Sequence, residues 1–302
     1  MSRESFRRSL KDRGPASLKT HPSKKREGEV LLVAKSPVFT LAPTTPIQDA
    51  IQMMSKEGFR RIPIVNPGTN VLKGIITATD LVDYLGGGEK FEMISQRFGG
   101  NIFKAINEPV RIIMTQNVVS VKTTAKLSEA ITLMKEKNLG GLPVVDEKGS
   151  VKAIITERDI ANLFADKIRN TKVSELMSTD VVTALQKTTI FEAVKTMITQ
   201  GFRRLPIIAD GKVVGIITAM DIIRFFGSGK VFNYLKSGTI IQVLNTSAVE
   251  IATKEVLTIQ ANVDVGQAAK IMRDKDVGAV PVVENGKLVG MITERDFFKI
   301  IE

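Results

Sequence analysis

Four threonine–aspartate pairs recur along the chain, each with two residues between the partners. An aspartate carboxylate can accept two hydrogen bonds from the 2′- and 3′-hydroxyls of a ribose, and a threonine hydroxyl beside the free N–H groups of a first helical turn can meet a phosphate. The same spacing fits a capping box, with Thr at the N-cap and an acid at N3. Spacing alone leaves both interpretations open. The pairs are Thr77/Asp80, Thr156/Asp159, Thr218/Asp221 and Thr293/Asp296.

Paired arginines form a second set of residues that could bind phosphate. Arg60-Arg61 and Arg203-Arg204 each come just before a proline. An arginine fork holds phosphate with two parallel hydrogen bonds. Because neighbouring residues at the start of a strand point to opposite faces, we expect one arginine of each pair to face a cleft and the other to face solvent or an ion pair. The alternative is a solvated charged face.

The composition excludes most catalytic chemistry. The chain of 302 residues has no cysteine, which rules out disulfides, thiolate zinc sites and cysteine nucleophiles. With a single histidine, His21, neither a histidine-bearing catalytic triad nor a multi-histidine metal site is expected. We find no arrangement of nucleophile and base. The sequence therefore predicts a binding protein, not an enzyme, with no catalytic cofactor and no metal site.

Apolar and charged residues are distributed as in a soluble protein. No apolar run approaches the ~18 residues that span a bilayer, and the first residues lack the apolar core of a secretory signal. We predict a cytoplasmic protein without a membrane segment.

Positive charge is concentrated at the N-terminus. The net charge is +11, and residues 1–29 carry nine Lys and Arg against four Asp and Glu. This segment has few apolar residues to offset its ordering entropy, so we predict a disordered basic arm. The arm would contact nucleic acid, an anionic membrane face or an acidic partner; the alternative is a solubilising tail.

The chain contains one unit repeated four times. Each copy has apolar residues at i, i+3, i+4 and i+7, which predicts an amphipathic helix. In each copy the first of these residues lies 16 positions before a proline. The four first residues and their prolines are Ile47 and Pro63, Leu127 and Pro143, Ile190 and Pro206, and Val265 and Pro281.

The same pattern predicts the strands around each helix. A β-branched run, a turn rich in Gly, Asp and Asn, and a second apolar run follow each proline, which is typical of a β-hairpin. A further strand precedes each helix (VFTL, VVSV, VVTA and VLTI), and a second helix begins at each Thr-x-x-Asp. The unit is β-α-β-β-α, an α/β fold.

Connector lengths indicate how the repeats associate. Long connectors follow repeats one and three, and a short link joins repeats two and three, so we expect repeats one and two to form one pair and repeats three and four the other. The predicted boundaries are 1–29 for the arm and 30–88, 108–166, 171–228 and 247–302 for the repeats.

The apolar helix, the x-x-P-V/I-V strand and the G-h-h-T-x-x-D segment together resemble the cystathionine β-synthase (CBS) domain. The resemblance covers about residues 30–302, and four tandem copies are similar to the γ regulatory subunit of AMP-activated protein kinase and its archaeal relatives. It implies pairs of CBS domains packed through their sheets, with two clefts per pair that commonly take AMP, ADP or ATP, and in some members S-adenosylmethionine or NADH.

The resemblance also implies roles for particular residues. It places the aspartates on the ribose, the threonines near the phosphate, and the arginines Arg60, Arg61, Arg203 and Arg204 near phosphates at the centre of the module. A position just before the first strand helps line the adenine or phosphate pocket; the alternative there is a hydroxyl that only begins a strand. In repeats two to four this position is Thr115, Ser178 and Thr253, and in repeat one it is Lys35.

Repeats two and four lack the arginine pair, and this predicts unequal clefts. They carry Gly140-Gly141 and Gly278-Ala279 instead. We expect the arginine-bearing repeat of each pair to clamp the phosphate and its partner to supply room, so that fewer than four nucleotides bind per chain. Arg158 and Arg295 are further candidates for phosphate contact, or they pair with nearby acids.

These observations favour a regulatory, energy-sensing module that binds adenine nucleotides (AMP, ADP or ATP) and acts on a partner protein such as a kinase. The alternatives are a nucleic-acid-associated protein that uses its basic arm and a binder of another adenosyl ligand. The sequence leaves a homodimer open.

Overall fold

The computed structural model describes residues 28–234 and 240–301. The predicted disordered arm and His21 fall on residues 1–27, outside the described residues. The last two residues assigned to the arm are packed against repeat two: the backbone N–H of Gly28 donates to the Thr123 carbonyl at 2.8 Å, and the N–H of Leu127 donates to Glu29 Oε2 at 3.4 Å. The packed chain thus includes Gly28 and Glu29, and the predicted end of the arm at 29 was wrong.

Each repeat contains the predicted antiparallel hairpin, β1–β2, β4–β5, β7–β8 and β9–β10 in chain order. The proline of each repeat lies in the first strand of its hairpin. The strands are β1 Arg61–Val65, β2 Leu72–Thr77, β3 Val121–Lys122, β4 Gly141–Val145, β5 Val151–Thr156, β6 Ala184–Leu185, β7 Arg204–Ala209, β8 Lys212–Thr218, β9 Ala279–Glu284 and β10 Lys287–Thr293.

The strand predicted before each amphipathic helix is shorter than expected. It is two residues long in β3 and β6, and in repeats one and four it is a single parallel bridge, at Leu41 and at Ile259. The proline limits it. The carbonyl of Pro63 accepts the N–H of Leu41 at 3.1 Å, but proline has no N–H to return, so the parallel ladder begins only beyond it.

The helices follow the predicted periodicity. The long amphipathic helices α2, α6, α9 and α12 lead into the hairpins, and α3, α7 and α10 follow them; in repeat four a 3₁₀ helix, Glu294–Ile300, takes this place. In the described part of the chain, no helix is long and apolar enough to cross a membrane. The helices are α1 Val30–Val33, α2 Ile47–Glu57, α3 Ala78–Gly86, α4 Glu92–Phe98, α5 Ile102–Ile106, α6 Leu127–Glu136, α7 Glu157–Asn162, α8 Val173–Leu176, α9 Ile190–Gln200, α10 Ala219–Gly227, α11 Ile240–Leu244 and α12 Val265–Asp274, with 3₁₀ turns at Glu89–Phe91, Val110–Ile112, Lys230–Tyr234 and Ala248–Glu250.

The four repeats contact one another as a ring. Short β-bridges join repeat one to repeat two and repeat three to repeat four. The two large apolar cores cross between these pairs: repeats one and three share one core, where α2 packs against α10 and α3 against α9, and repeats two and four share the other. Because a single repeat of this size buries too little apolar surface to be stable alone, the helix faces of one pair complete the cores of the other.

Candidate functional site

Each Thr-x-x-Asp pair forms a capping box where a strand ends and a helix begins. In repeat one, Asp80 Oδ2 accepts the Thr77 backbone N–H at 2.9 Å and the Thr77 hydroxyl at 2.6 Å. These bonds engage Oδ2 and leave Oδ1 for another partner. We number the sites 1 to 4 by the repeat that supplies the aspartate. The same two bonds, at 2.6–2.9 Å, form in Thr156/Asp159, Thr218/Asp221 and Thr293/Asp296.

The segment before each first strand lies beside the site of the other repeat in the pair. Thr115 exchanges two backbone hydrogen bonds of 2.9 Å with Ile75, two residues before Thr77, and so lies at site 1. Sequence matching could align these positions but could not show that they cross to the neighbouring repeat. By the same bridging, Lys35 lies at site 2, Thr253 at site 3 and Ser178 at site 4.

Glycine allows this close crossing. A Cβ at Gly74 would lie 2.9 Å from the Thr115 carbonyl oxygen, and a Cβ at Gly290 would lie 3.0 Å from that of Ser178. These contacts are too short for a side chain. The glycine of the G-h-h-T-x-x-D segment therefore has a structural role at sites 1 and 4.

The arginine pairs adjoin the caps of sites 1 and 3. Arg61 is the direct cross-strand partner of Thr77, and Arg204 of Thr218. The Arg60 carbonyl accepts the N–H of Ala78, the first residue of α3, at 2.8 Å. The strand that carries the arginines is thereby fixed against the N-terminus of the helix that carries the aspartate.

Arginines and glutamates from all four repeats meet in a set of ion pairs. Arg60 Nη1 lies 2.6 Å from Glu294 Oε2, and Arg203 Nη2 lies 2.7 Å from Glu157 Oε2. The two further arginine candidates pair crosswise: Arg158 Nε lies 2.6 Å from Glu294, and Arg295 Nε lies 2.7 Å from Glu157. Each glutamate thus binds one arginine from a strand and one from a helix of another repeat.

We call this group the central cluster. Its two glutamates are almost fully buried, and Arg158 also contacts Asp276. Six guanidinium groups face three carboxylates, so the cluster carries an excess of positive charge. Its members are Arg60, Arg61, Arg158, Arg203, Arg204, Arg295, Glu157, Glu294 and Asp276.

The charges of the cluster are unevenly compensated. Burial favours the protonated form of Glu294, but Arg60 and Arg158 outweigh it and lower its pKa to about 2. Burial and then the nearby Arg203 lower the pKa of Arg61 to about 10, and burial followed by Arg203 and Arg60 lowers that of Arg204 to about 9.

Two of the arginines have no carboxylate of their own. Among the described residues, neither Arg61 nor Arg204 has an ion-pair partner within 4 Å, and Arg295 Nη2 is buried without a hydrogen-bond acceptor. Unmet buried donors and uncompensated cations are costly, so this arrangement favours an anion.

Glycines in repeat two provide room for the arginines. A Cβ at Gly140 would lie 2.6 Å from Arg61 Nη2 and 2.9 Å from Arg203 Nη1, while Gly278 lies against Arg60. The repeats without the arginine pair therefore have small residues where guanidinium groups from other repeats reach across.

A basic side chain faces Oδ1 of every aspartate, and sequence reasoning did not identify this feature. At site 1 it is Lys90, on the turn after α3. Lys299 and Arg224 each follow their aspartate by three residues, a helical spacing that was visible in the sequence; Lys90 and Lys35 come from separate segments. The Oδ1 distances are 3.4 Å to Lys35, 3.2 Å to Arg224 and 2.8 Å to Lys299. Within the described ranges, no group of three or more His, Asp and Glu side chains could hold a metal ion.

A comparison with known families now applies to this geometry. The family described as the CBS domain matches residues 28–87, 110–166, 173–228 and 248–302. The chain belongs to the CBS domain family. CBS domain pairs are typically regulatory modules that bind adenosyl ligands, and proteins of this type are generally not catalytic.

Archaeal proteins of similar length resemble this CBS protein along most of the chain. Protein MJ1225 of Methanocaldococcus jannaschii is 39% identical over 264 residues, which is 87% of this chain and 94% of that protein. A 33.4 kDa protein encoded in a ribosomal RNA operon of Thermofilum pendens is 34% identical over 88% of this chain and 89% of its own. The crystal structure of MJ1225, whose description suggests an archaeal homolog of γ-AMPK, superposes with a TM-score of 0.86 at 38% identity and covers 91% of this chain and 100% of that one.

Proposed function

We propose that the chain is a regulatory module that binds AMP, ADP or ATP and transmits the adenylate state of the cell to a partner protein. The observation that carries the proposal is the excess of guanidinium groups in the central cluster, which adjoins the capped aspartates. Ribose would bind at an aspartate Oδ1, and phosphates would extend to the arginines. The proposed binding residues are Thr77, Asp80, Thr156, Asp159, Thr218, Asp221, Thr293, Asp296, Arg60, Arg61, Arg203, Arg204, Thr115, Ser178 and Thr253.

Two features support phosphate binding at sites 1 and 3. Thr77 and Thr218 cap α3 and α10, nine-residue helices whose N-termini favour negative charge. Arg61 and Arg204 lie directly across the hairpin from these caps. A phosphate near the cap would supply the anion that these two arginines lack among the described residues.

The cluster also offers a physical basis for sensing. Glu157 and Glu294 bind the same guanidinium groups that a phosphate would bind, and their ion pairs join different repeats. Nucleotides with one, two or three phosphates would compete differently with the glutamates. Such a difference in binding free energy between packing states can shift a conformational equilibrium that a partner detects.

The partner is the least constrained part of the proposal. Similarity to MJ1225, for which a relation to γ-AMPK has been suggested, supports a regulated protein such as a kinase. Nothing in the ring of repeats points to a particular partner surface.

Calorimetric titration of nucleotide-free protein with AMP, ADP and ATP tests the proposal. We expect micromolar binding, about −8 kcal/mol, at one to three sites, and competition between AMP and ATP. Asp221→Ala should remove a site, while Asp49→Ala, an exposed helix substitution, should not. No heat from any of the three nucleotides would overturn the proposal and direct the search to S-adenosylmethionine and NADH. Binding without competition would overturn its sensing part.

A further inference from the structure

Site 1 is held shut by a lysine that belongs to neither strand nor cap. Lys90 Nζ bonds Asp80 Oδ1 and also donates to the Ile113 carbonyl at 2.9 Å. Ile113 lies two residues before Thr115, in the segment that repeat two contributes to site 1. One ammonium group therefore joins the two walls of the site.

Site 4 repeats this arrangement with a lysine from a different place in its repeat. Lys299 Nζ lies 2.8 Å from Asp296 Oδ1 and donates to the Leu176 carbonyl at 2.5 Å. Leu176 precedes Ser178 as Ile113 precedes Thr115. Both lysines thus occupy the remaining oxygen of the aspartate and bind the same backbone position of the opposite wall.

Sites 2 and 3 lack this second bond in the described residues. Lys35 lies 3.4 Å from Asp159 Oδ1, an ion pair without hydrogen-bond contact to a facing carbonyl. Arg224 lies 3.2 Å from Asp221 Oδ1 on the same helix, and its side chain is 53% exposed. Single contacts to exposed cations are weak and are easily exchanged for water or ligand.

We infer that Lys90 and Lys299 act as latches that exclude a ribose from sites 1 and 4, so that sites 2 and 3 fill first. The inference rests on the proposed function, because it assumes that the ligand hydroxyls bind at Oδ1. Oδ2 is already engaged by two bonds from the threonine, so a ribose must displace the latch. Displacing charge-assisted hydrogen bonds weakens binding by about ten- to hundredfold.

The sequence places the latches asymmetrically. Lys90 follows Asp80 by ten residues, and the residue ten positions after Asp221 is Val231, which carries no charge. Asp83 fixes the turn, since its Oδ1 accepts the Lys90 backbone N–H at 3.1 Å. Repeat three has Arg224 where repeat one has Asp83.

The same comparison holds between repeats two and four. Lys299 follows Asp296 by three residues, and Asn162 holds that position after Asp159. Each pair of repeats therefore has one latched and one unlatched site.

Titration of the full chain with AMP tests the latch. In Lys90→Met, which keeps the length of the side chain, we expect binding at site 1 to tighten at least about tenfold, seen as one more site in the tight class. Asp80→Asn added to this variant should remove that site again. The control is Lys104→Met, which removes an exposed lysine of the same connector.

The outcomes separate the latch from the proposed function. If AMP binds the wild type and Lys90→Met leaves the number and affinity of sites unchanged, or weakens binding, the latch is wrong and the proposed function stands. If AMP binds no variant, the proposed function fails, and amine labelling decides the latch. Lys90 should then react several-fold more slowly than Lys104 and lose this protection in Asp80→Asn. Equal reactivity in the wild type would overturn the latch.

Discussion

Repeats one and three differ from repeats two and four at two positions on either side of the hairpin. Before the proline, repeats one and three have two arginines where the others have Gly-Gly or Gly-Ala. After the hairpin, repeats two and four read Thr-Glu-Arg-Asp, and repeats one and three read Thr-Ala-Thr-Asp and Thr-Ala-Met-Asp. The strands of one kind of repeat thus carry cations, and the helix starts of the other kind carry the glutamates that bind them.

This division makes the charge pairs depend on closure of the ring. Arg60 of repeat one reaches Glu294 of repeat four, and Arg203 of repeat three reaches Glu157 of repeat two. Neither pair forms within one repeat or within one β-bridged pair of repeats. The central cluster can therefore report how the two pairs are packed, while the capped aspartates are complete within each repeat.

Removing one glutamate should break the comparison most severely. Glu294→Gln leaves Arg60 and Arg158 without their shared carboxylate in a buried setting, and we expect a loss of about 3–5 kcal/mol in the free energy of unfolding. Denaturant unfolding measures it. The control Glu284→Gln, on an exposed strand end, should change stability by less than about 0.5 kcal/mol. Equal effects of the two substitutions would contradict the role assigned to the glutamate.

Acid should weaken the same contacts without a mutation. The pKa of Glu294 is about 2 in the folded chain against 4.5 ordinarily, and that of Glu157 is also lowered. A carboxylate with a lowered pKa stabilises the fold fully above its unfolded pKa, and this contribution is lost as the pH falls from about 4.5 towards 2. We expect a loss on the order of 2–3 kcal/mol from Glu294, measured by melting at pH 6, 4 and 3. A Glu294→Gln variant should show a shallower pH dependence; an equal slope would count against this explanation.

The sequence was sufficient for the fold because periodicity and punctuation agree in four copies. The i, i+3, i+4, i+7 pattern at Ile47 and its three counterparts gave helices of the expected face, and the prolines located the hairpins. The strand before each helix was overestimated, since β-branched residues predict a strand but not how many hydrogen bonds its partner can supply. Proline removes a donor from that partner.

The site was predicted only as far as local spacing reaches. Thr77 and Asp80 are three residues apart, so their cap could be expected from sequence alone. The contacts of Arg60 with Glu294, and of Lys90 with the Ile113 carbonyl, join segments far apart in the chain and follow from how the repeats pack. The cross-over of Thr115 to site 1 has the same origin. Alignment of repeats shows equivalence, whereas contact requires the ring.

An arginine without a carboxylate sharpens the comparison between stability and binding. Arg204→Met removes a partly buried cation whose pKa is lowered to about 9, chiefly by burial. We expect the unliganded protein to gain about 1–2 kcal/mol and to lose most of the thermal shift that ATP produces. Melting with and without ATP measures both effects. Lys212→Met, a substitution of an exposed residue two strands' width from the cap, should do neither.

The same variant carries a pH signature. The folded-state pKa of Arg204 lies below its unfolded value of 12.5, so the unfolded chain binds the proton more tightly and the wild type gains stability as the pH rises above about 9. The advantage of Arg204→Met at pH 7 should therefore shrink at pH 10. An advantage that is the same at both values would mean that lost charge is not its cause.

The smallest expected effect comes from filling the room that repeat two provides. A methyl group at Gly140 would meet the ends of Arg61 and Arg203, and because these are flexible tips, the folded state can adapt at a cost of about 1 kcal/mol or less. The displaced guanidinium groups would no longer face a phosphate in their present geometry, so ATP affinity should fall several-fold in Gly140→Ala. Gly68→Ala, in an exposed turn with no close neighbour at its Cβ, is the matched control for titration and melting. A large loss of stability with unchanged affinity would reverse the interpretation, and the glycine would then serve the packing of the strand rather than the placement of the arginines.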